Sequence, residues 1–344
     1  MKLAVGYQLP DEDEEPLTDV VVDFRDRIEE VYFPWLDMPS GRSPMSARDG
    51  FVDWEAQARL EHDLRCFRDM GVKLDLLLNA NCYGAHGLSQ SLANRVRSII
   101  EHLLAVAGLD AVTTASLMVA RVVREQFPAI DVRASVNMRL GTVRAMEYVA
   151  DLFTSFNLQR EVNRDLSLIR EIGSWCRANG KELHFLANSG CLSFCSGQVF
   201  HDNLVAHEAE IAETTNVTGW NPSLCWNVLA DRAQWVALLR NTWVRPEDLY
   251  HYEGLFPVAK LATRMHANPR RVIQAYCEGH YRGNLLDLFE PSHAPLLAPH
   301  VIDNSRFPGD WFERTAACDK RCQHCDYCAT VLERVLVSAT AAGP

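Results

Sequence analysis

Near its end the chain reads Cys318-Asp319-Lys320-Arg321-Cys322-Gln323-His324-Cys325-Asp326-Tyr327-Cys328. Thiols at steps of four, three and three residues can converge, because such steps return side chains to one face of a helical turn. Two chemistries use this donor set: structural zinc held by four thiolates and a 4Fe-4S cluster held by the same ligands. Iron–sulfur is the expectation and zinc the alternative. A second group starts where a strand-like run ends, in Asn188-Ser189-Gly190-Cys191-Leu192-Ser193-Phe194-Cys195, with Cys225 about thirty residues on. Cysteines are often small buried hydrophobes, but two thiols at a strand end with a third in a loop favour a ligand role. Cys82, in Asn79-Ala80-Asn81-Cys82-Tyr83-Gly84, closes another strand and is the candidate fourth ligand, ahead of His184 and Cys277. Cys66 and Cys176 fall inside helical stretches and are expected in the core.

Substrate needs its own groups. Lys260 and Arg264 share a parity with Val258 and Ala262, so both cations should face the same way as the polar side chains of the other strands. They form a clamp suited to a carboxylate or phosphate, although internal carboxylates such as Asp75 or Glu182 could partner them structurally. His184 joins them as a catalytic candidate, and Asn79, Asn81, Asn137, Asn157 and Asn188 are candidates for binding a polar substrate. His201 and His207 follow the second cysteine group, and residues of that kind are more often solvated or capped than catalytic. No nucleophile elbow, HExxH, P-loop or triad pattern is present.

Eight strand-like runs carry these residues, near 2–8, 29–35, 72–81, 110–117, 131–138, 153–161, 181–190 and 257–263. Helical patterns lie between them near 16–27, 54–70, 88–107, 119–127, 142–152 and 165–179, and Ala178-Asn179-Gly180 makes a helix stop. Strands alternating with helices predict a parallel α/β fold, and eight of them a TIM-type (β/α)8 barrel. The third run sets Lys73, Asp75, Leu77, Asn79 and Asn81 against Leu74, Leu76, Leu78 and Ala80. The fifth sets Asp131, Arg133, Ser135 and Asn137 against Val132, Ala134, Val136 and Met138; the sixth and seventh repeat this with Ser155, Asn157, Gln159 and Glu182, His184, Asn188. In a barrel wrapped by helices the apolar face must point outward, so a polar interior is expected. The segment 191–256 breaks the rhythm, carries four tryptophans and should cover the mouth as a helical insertion after the seventh strand. The division expected is a barrel over 1–300 and a cysteine-rich metal-binding tail over 301–344.

The 344 residues fit one such barrel with additions. A net charge of −11 argues against duplex DNA, while a local basic pocket could still take RNA. No apolar run is long enough to span a membrane. The start, Met1 to Pro10, reads as a first strand before an acidic run, which points to the cytoplasm. In that reducing compartment eleven cysteines are not a disulfide framework.

Several stretches together resemble the collagenase-like U32 peptidase family: Trp243-Val244-Arg245-Pro246-Glu247-Asp248-Leu249, Pro257-Val258-Ala259-Lys260-Leu261-Ala262-Thr263-Arg264, Ala275-Tyr276 and Tyr281-Arg282-Gly283-Asn284-Leu285. The resemblance spans roughly 70–330; Thr263 stands where the family has glycine. It implies a barrel related to oxygen-independent hydroxylases, which act on ubiquinone precursors or RNA bases through a four-cysteine 4Fe-4S cluster, some with prephenate as oxygen donor. Cys191 is similar in position to a family ligand; Cys195 and Cys225 match less well, and the remaining family position falls near His184. The tail resembles an extension of one branch. The expectation is an iron–sulfur oxidoreductase-type enzyme, a hydroxylase of a polar small molecule or RNA base, with one or two clusters. The alternatives are a U32-type peptidase and a non-catalytic iron–sulfur subunit paired with a homologous partner.

Overall fold

The computed structural model describes residues 1–11, 13–41 and 53–339. Glu12 of the acidic run and the last five residues of the tail lie outside the described residues. Eight parallel strands close in sequence order: β1 (Lys2–Gly6), β2 (Ile28–Pro34), β3 (Lys73–Leu78), β4 (Ala111–Thr114), β5 (Asp131–Ala134), β6 (Ser155–Asn157), β7 (Glu182–Leu186) and β8 (Val258–Lys260), with β8 hydrogen-bonded back to β1. Six helices separate the first seven strands: α1 (Leu17–Asp23), α2 (Trp54–Asp69), α3 (Gln90–Val106), α4 (Leu117–Gln126), α5 (Val143–Glu147) and α6 (Leu166–Ala178). The (β/α)8 barrel expected from the alternation is the fold found.

Five of these six helices start where the sequence supplies a cap. Asp53, Ser89, Ser116, Thr142 and Asp165 each accept a hydrogen bond from the backbone N–H three residues on. That satisfies one otherwise orphaned donor and contributes about 1 kcal/mol per helix. Helix α6 stops at Asn179, and Gly180 takes φ +63°.

Period two decides which side chains face the helices. Leu3, Val5, Val31, Phe33, Leu74, Leu76, Val112, Val132, Phe156, Phe185 and Ala259 point outward into the main core. Each full burial of such a side chain contributes about 1.5–3 kcal/mol. Their sequence neighbours point inward. Ala4, Tyr32, Leu77 and Val258 make a small apolar cluster inside the barrel, and the rest of the interior is polar.

The strands are shorter at their C-terminal ends than their patterns suggest. After β5 the chain turns at once into a tight helical turn, Val136–Met138, closed by Arg139 in the left-handed region at φ 57°. The insertion after β7 holds α7 (Gln198–Ala206), α8 (Glu208–Thr214), α9 (Leu224–Leu229) and α10 (Val236–Leu239). Beyond β8 come α11 (Pro269–Glu278), α12 (Ala294–Leu297), β9 (His300–Ile302), α13 (Trp311–Ala316), α14 (Tyr327–Val335) and β10 (Leu336–Ser338), with β9 and β10 antiparallel. A second core gathers Trp243, Phe289, Trp311, Val331 and Val335, which fastens the tail to the end of the insertion. Among the described residues no helix is long and apolar enough to cross a membrane.

Candidate functional site

The interior divides by height. In the lower half Arg133 is enclosed by carboxylates: Nη1 lies 2.7 Å from Glu30 Oε1 and 3.6 Å from Asp75 Oδ2, and Nη2 lies 3.0 Å from Asp131 Oδ2. Thr113 Oγ1 donates to Asp75 at 2.8 Å, and Ser155 Oγ donates to Asp131. A buried charge needs such partners. Burial pushes the Asp75 carboxyl up to about 6, against the pull of Arg133. Burial acts on Glu30 the same way, yet the charge and hydrogen bond of Arg133 hold it below the usual range.

His184 belongs to this lower layer. Its Nε2 is 3.6 Å from Glu182, burial beside Arg133 lowers its pKa, and the β6–β7 register pairs it with Asn157. His184 Nε2 is buried with no hydrogen-bond partner among the described residues, and the ring is not part of the lining of the cavity that Lys260 and Arg264 share. Glu182 pairs with His184 and not with the cations of β8.

Above this network lies a cavity of about 70 Å³, lined among others by Asn79, Asn137, Asn157, Arg160, Lys260 and Arg264. Lys260 is 3.8 Å from Asp75 Oδ2, with its Nζ 3.8 Å from the centroid of the Tyr32 ring. Burial lowers its pKa, opposed by Asp75 and Glu30. Arg264 Nη1 donates to Ser40 Oγ at 3.1 Å. Asn79 Oδ1 accepts from Gly41 N–H at 2.9 Å. A Cβ on Gly41 would come within 2.7 Å of Asn137 Nδ2 and 2.9 Å of Asn79 Nδ2, so only glycine lets that loop pass so close. Asn157 Nδ2 donates to the Ala134 carbonyl, while its Oδ1 is buried with no hydrogen-bond partner among the described residues.

Two other expected binding residues are held by partners elsewhere in the chain. Asn188 is fully buried: Nδ2 donates to the carbonyls of Ala262 and Leu288, and Oδ1 accepts from Ala262 N–H. With both ends engaged it ties β7 to the chain after β8. Asn81 Nδ2 donates to Asp202 Oδ2 of α7 at 3.3 Å, while its Oδ1 is buried with no hydrogen-bond partner among the described residues.

The thiols fall into separate places. Cys225 is pushed up to about 11 by burial and by nearby Cys191 and Cys195, so these three are neighbours at the mouth. Cys191 Sγ accepts from Arg160 Nη1 at 3.1 Å, and Arg160 also lines the barrel cavity. On its other side Cys191 lines a cleft of about 580 Å³, shared with His201, Glu208 and Glu290. Glu290 borders both spaces. Cys82 stands apart, with Gly84 N–H and His207 as its partners. Cys277 lies on α11, where its carbonyl accepts from Arg27, close to the Met1 carbonyl at the far end of the barrel. Cys176 is buried as expected, but Cys66 is half-buried and faces His62.

In the tail, burial, together with Cys318 and Cys322, pushes Cys328 up to about 11, against Arg164 and Arg240. Cys318, Cys322 and Cys328 line a cavity of about 260 Å³ whose opposite wall is Leu192 to Phe194, the loop between Cys191 and Cys195. Lys320 Nζ donates to the Glu161 carbonyl, which fixes the tail beside that loop. Cys325 is exposed. The donor chemistry of both groups suits a soft metal or cluster. Their present spacing does not: among the described residues no three His, Cys, Asp or Glu are gathered closely enough to hold a metal ion.

Sequence reasoning missed Arg160, Glu30 and Glu290 as parts of the interior, and the contact of Cys82 with His207. Arg160 had a signal, since it follows β6 directly at the end of the barrel where active sites form.

No family model matches the chain. It is 25% identical over 271 residues to an uncharacterized protease of Methanocaldococcus jannaschii, covering 77% of each chain. Among solved structures it is similar to a U32 peptidase with TM-score 0.51 and 17% identity, over 76% of this chain and 92% of that one. The structural likeness shows a shared barrel fold.

Proposed function

We propose that the chain is an enzyme that binds a polar, anionic small molecule or RNA base in the barrel mouth and modifies it by a redox step, oxygen-independent hydroxylation, beside a 4Fe-4S cluster. Cys191, Cys195 and Cys225 would hold that cluster, with a fourth ligand from outside this trio. One observation carries the reading: Arg160 bonds the Cys191 thiol and lines the cavity that Lys260 and Arg264 also line. A centre at those thiols would stand one side chain from the substrate site. The cluster would supply electron exchange; the chain's own residues supply binding. Lys260 and Arg264 would take the anionic group, while Asn79, Asn137 and Asn157 would orient the polar body. Cys318, Cys322, Cys325 and Cys328 would hold a second cluster or a zinc ion. Both sites require the thiols to draw together on binding, since no three of them are at ligating distance now.

The test is anaerobic purification with iron and sulfide analysis. Brown protein with absorption that bleaches on reduction is expected, and Cys191→Ala should lose the barrel iron and all turnover. Replacing Cys322 and Cys325 with Ala should remove only the tail metal. Protein that stays colourless after anaerobic reconstitution and takes up only zinc would end the iron–sulfur reading.

A second reading is peptide hydrolysis. The Methanocaldococcus jannaschii relative is called a protease and the structural neighbour a peptidase, and these names favour hydrolysis over hydroxylation. Peptidase activity that survives complete removal of iron would decide for it.

A further inference from the structure

Two spaces meet at the barrel mouth, and they carry opposite charge. Arg160, Lys260 and Arg264 line the inner cavity of about 70 Å³, where Glu290 is the one carboxylate among the described lining residues. Asp75 lies beside Lys260 at 3.8 Å, so three cations there face two carboxylates. The outer cleft of about 580 Å³ reverses the balance. Glu208, Asp287 and Glu290 line it against Arg271, whose Nη1 lies 3.4 Å from Asp287 Oδ2.

Glu290 stands at the neck between the two spaces because backbone pairing puts it there. Its N–H donates to the Asn188 carbonyl at 3.3 Å, and its carbonyl accepts from the Gly190 N–H at 3.0 Å, so it runs parallel beside the chain that leaves β7. A Cβ on Gly190 would come within 2.0 Å of the Pro291 carbonyl oxygen, and only glycine allows that approach. Glu290 Oε2 accepts from the Met265 N–H at 3.2 Å, which turns the carboxylate toward the residues that follow β8. A carboxylate has about four acceptor positions, so Glu290 can take a ligand's N–H in addition to its partners in the chain.

Size and an orphan acceptor divide the ligand between the spaces. One water takes about 30 Å³, so the inner cavity holds a carboxylate head and little of the body behind it. Asn157 lines the same cavity, is 2% exposed, and has its Oδ1 without a hydrogen-bond partner among the described residues. A bare carboxylate brings no donor to that oxygen. An ammonium on the next carbon does, and its three N–H groups can serve Asn157 and Glu290 together.

We propose that the mouth selects a zwitterion of the amino-acid type. Its carboxylate enters the inner cavity against Lys260 and Arg264, its α-ammonium sits at the neck on Glu290 and Asn157 Oδ1, and its side chain runs into the outer cleft along Met265 and Phe289. This rests on the reading that the barrel mouth takes an anionic substrate and adds the cationic half that the neck recognises.

Isothermal titration of the full chain with probes of one six-carbon body tests it: caproate, hexylamine, norleucine and ε-aminocaproate. Norleucine should bind about 10-fold tighter than caproate, the scale of one charge-assisted hydrogen bond. Hexylamine, without the anion, should bind more weakly than norleucine, and ε-aminocaproate should gain less because its ammonium lies beyond the neck. In Glu290→Gln, which keeps an acceptor for the Met265 N–H, norleucine should fall to the level of caproate while caproate holds its affinity; a thermal melt checks that the variant is folded. Norleucine no tighter than caproate in the unaltered protein would overturn the zwitterion and leave the anion clamp standing. Failure of every carboxylate probe to bind would overturn both. A norleucine advantage undiminished in folded Glu290→Gln would overturn the place given to the ammonium.

Discussion

In the lower half of the barrel Arg133 is closed in by Glu30, Asp75 and Asp131. A few ångströms higher, Lys260 and Asn157 face a cavity, and Asn157 Oδ1 is left without a partner among the described residues. Both layers are buried and both are polar. The difference is ionic: in the lower layer Arg133 is matched by three carboxylates, although Asp75 Oδ1 and His184 Nε2 are also left without a hydrogen-bond partner among the described residues, while the upper groups face a cavity that a ligand can fill. Neither polarity nor an unpaired buried atom inside a barrel is therefore a mark of a binding site by itself; unpaired polar groups that face a cavity are.

The largest effect expected falls in the closed layer. Arg133→Met leaves Glu30 and Asp75 buried without their main counter-charge, and breaking one partner of such a network costs about 3–5 kcal/mol. Urea denaturation would measure it; a loss under about 1 kcal/mol would mean that water reaches this layer and the contrast is false. Asn188→Ala comes next. It strands two carbonyls and one N–H in the core, at a cost of about 2–4 kcal/mol. A variant as stable as the wild type, with weakened substrate binding, would move Asn188 back into the binding set.

A third prediction uses pH. The folded-state value of Asp75, about 6, lies above its ordinary 3.8, so folding favours its protonated form. That contribution is fully present below about 3.8 and is lost as pH rises through about 6. Glu30 runs the opposite way: its contribution is present above its ordinary 4.5 and is lost as pH falls. Against an Asp75→Asn variant, the wild type should lose relative stability between about pH 4 and pH 6. A constant difference across that window would show that Asp75 stays charged and belongs wholly to the closed network.

How much of this was legible depends on range along the chain. The barrel was, because period-two alternation is local: Asp75 beside Leu74 and Leu76 already tells which face is polar. The inward aim of Lys260 and Arg264 followed from the same parity. The strand ends were not, because the turn at 136–138 depends on Arg139 adopting a left-handed conformation that no periodicity announces. Asn188 looked like a binding residue because its backbone partners, Ala262 and Leu288, lie far along the chain. The insertion has no period to read, so the contacts of its helices are set by residues far along the chain.

The smallest effect on stability, and the sharpest test of the contrast, comes from Lys260→Met. Lys260 stands at the boundary, 3.8 Å from Asp75 below and lining the cavity above. Its ammonium is costly to bury, which is why its pKa is lowered. Removing it deprives Asp75 of one cation, but Arg133 and Thr113 remain, and a carboxyl already raised to about 6 can take a proton instead. Methionine keeps the stem's packing over Tyr32. The net loss of stability should stay within about 1 kcal/mol. Affinity should behave differently: a carboxylate or phosphate in the cavity would lose a charge-assisted hydrogen bond, worth about 1.5–3 kcal/mol or roughly 10- to 150-fold in binding. Isothermal titration with small dicarboxylates and phosphates, alongside thermal melts and iron analysis, separates the outcomes. A variant that binds anions as well as the wild type would take Lys260 out of the clamp. One that loses several kcal/mol of stability would place Lys260 in the closed layer with Arg133, and the boundary between the halves would have to be drawn higher in the barrel.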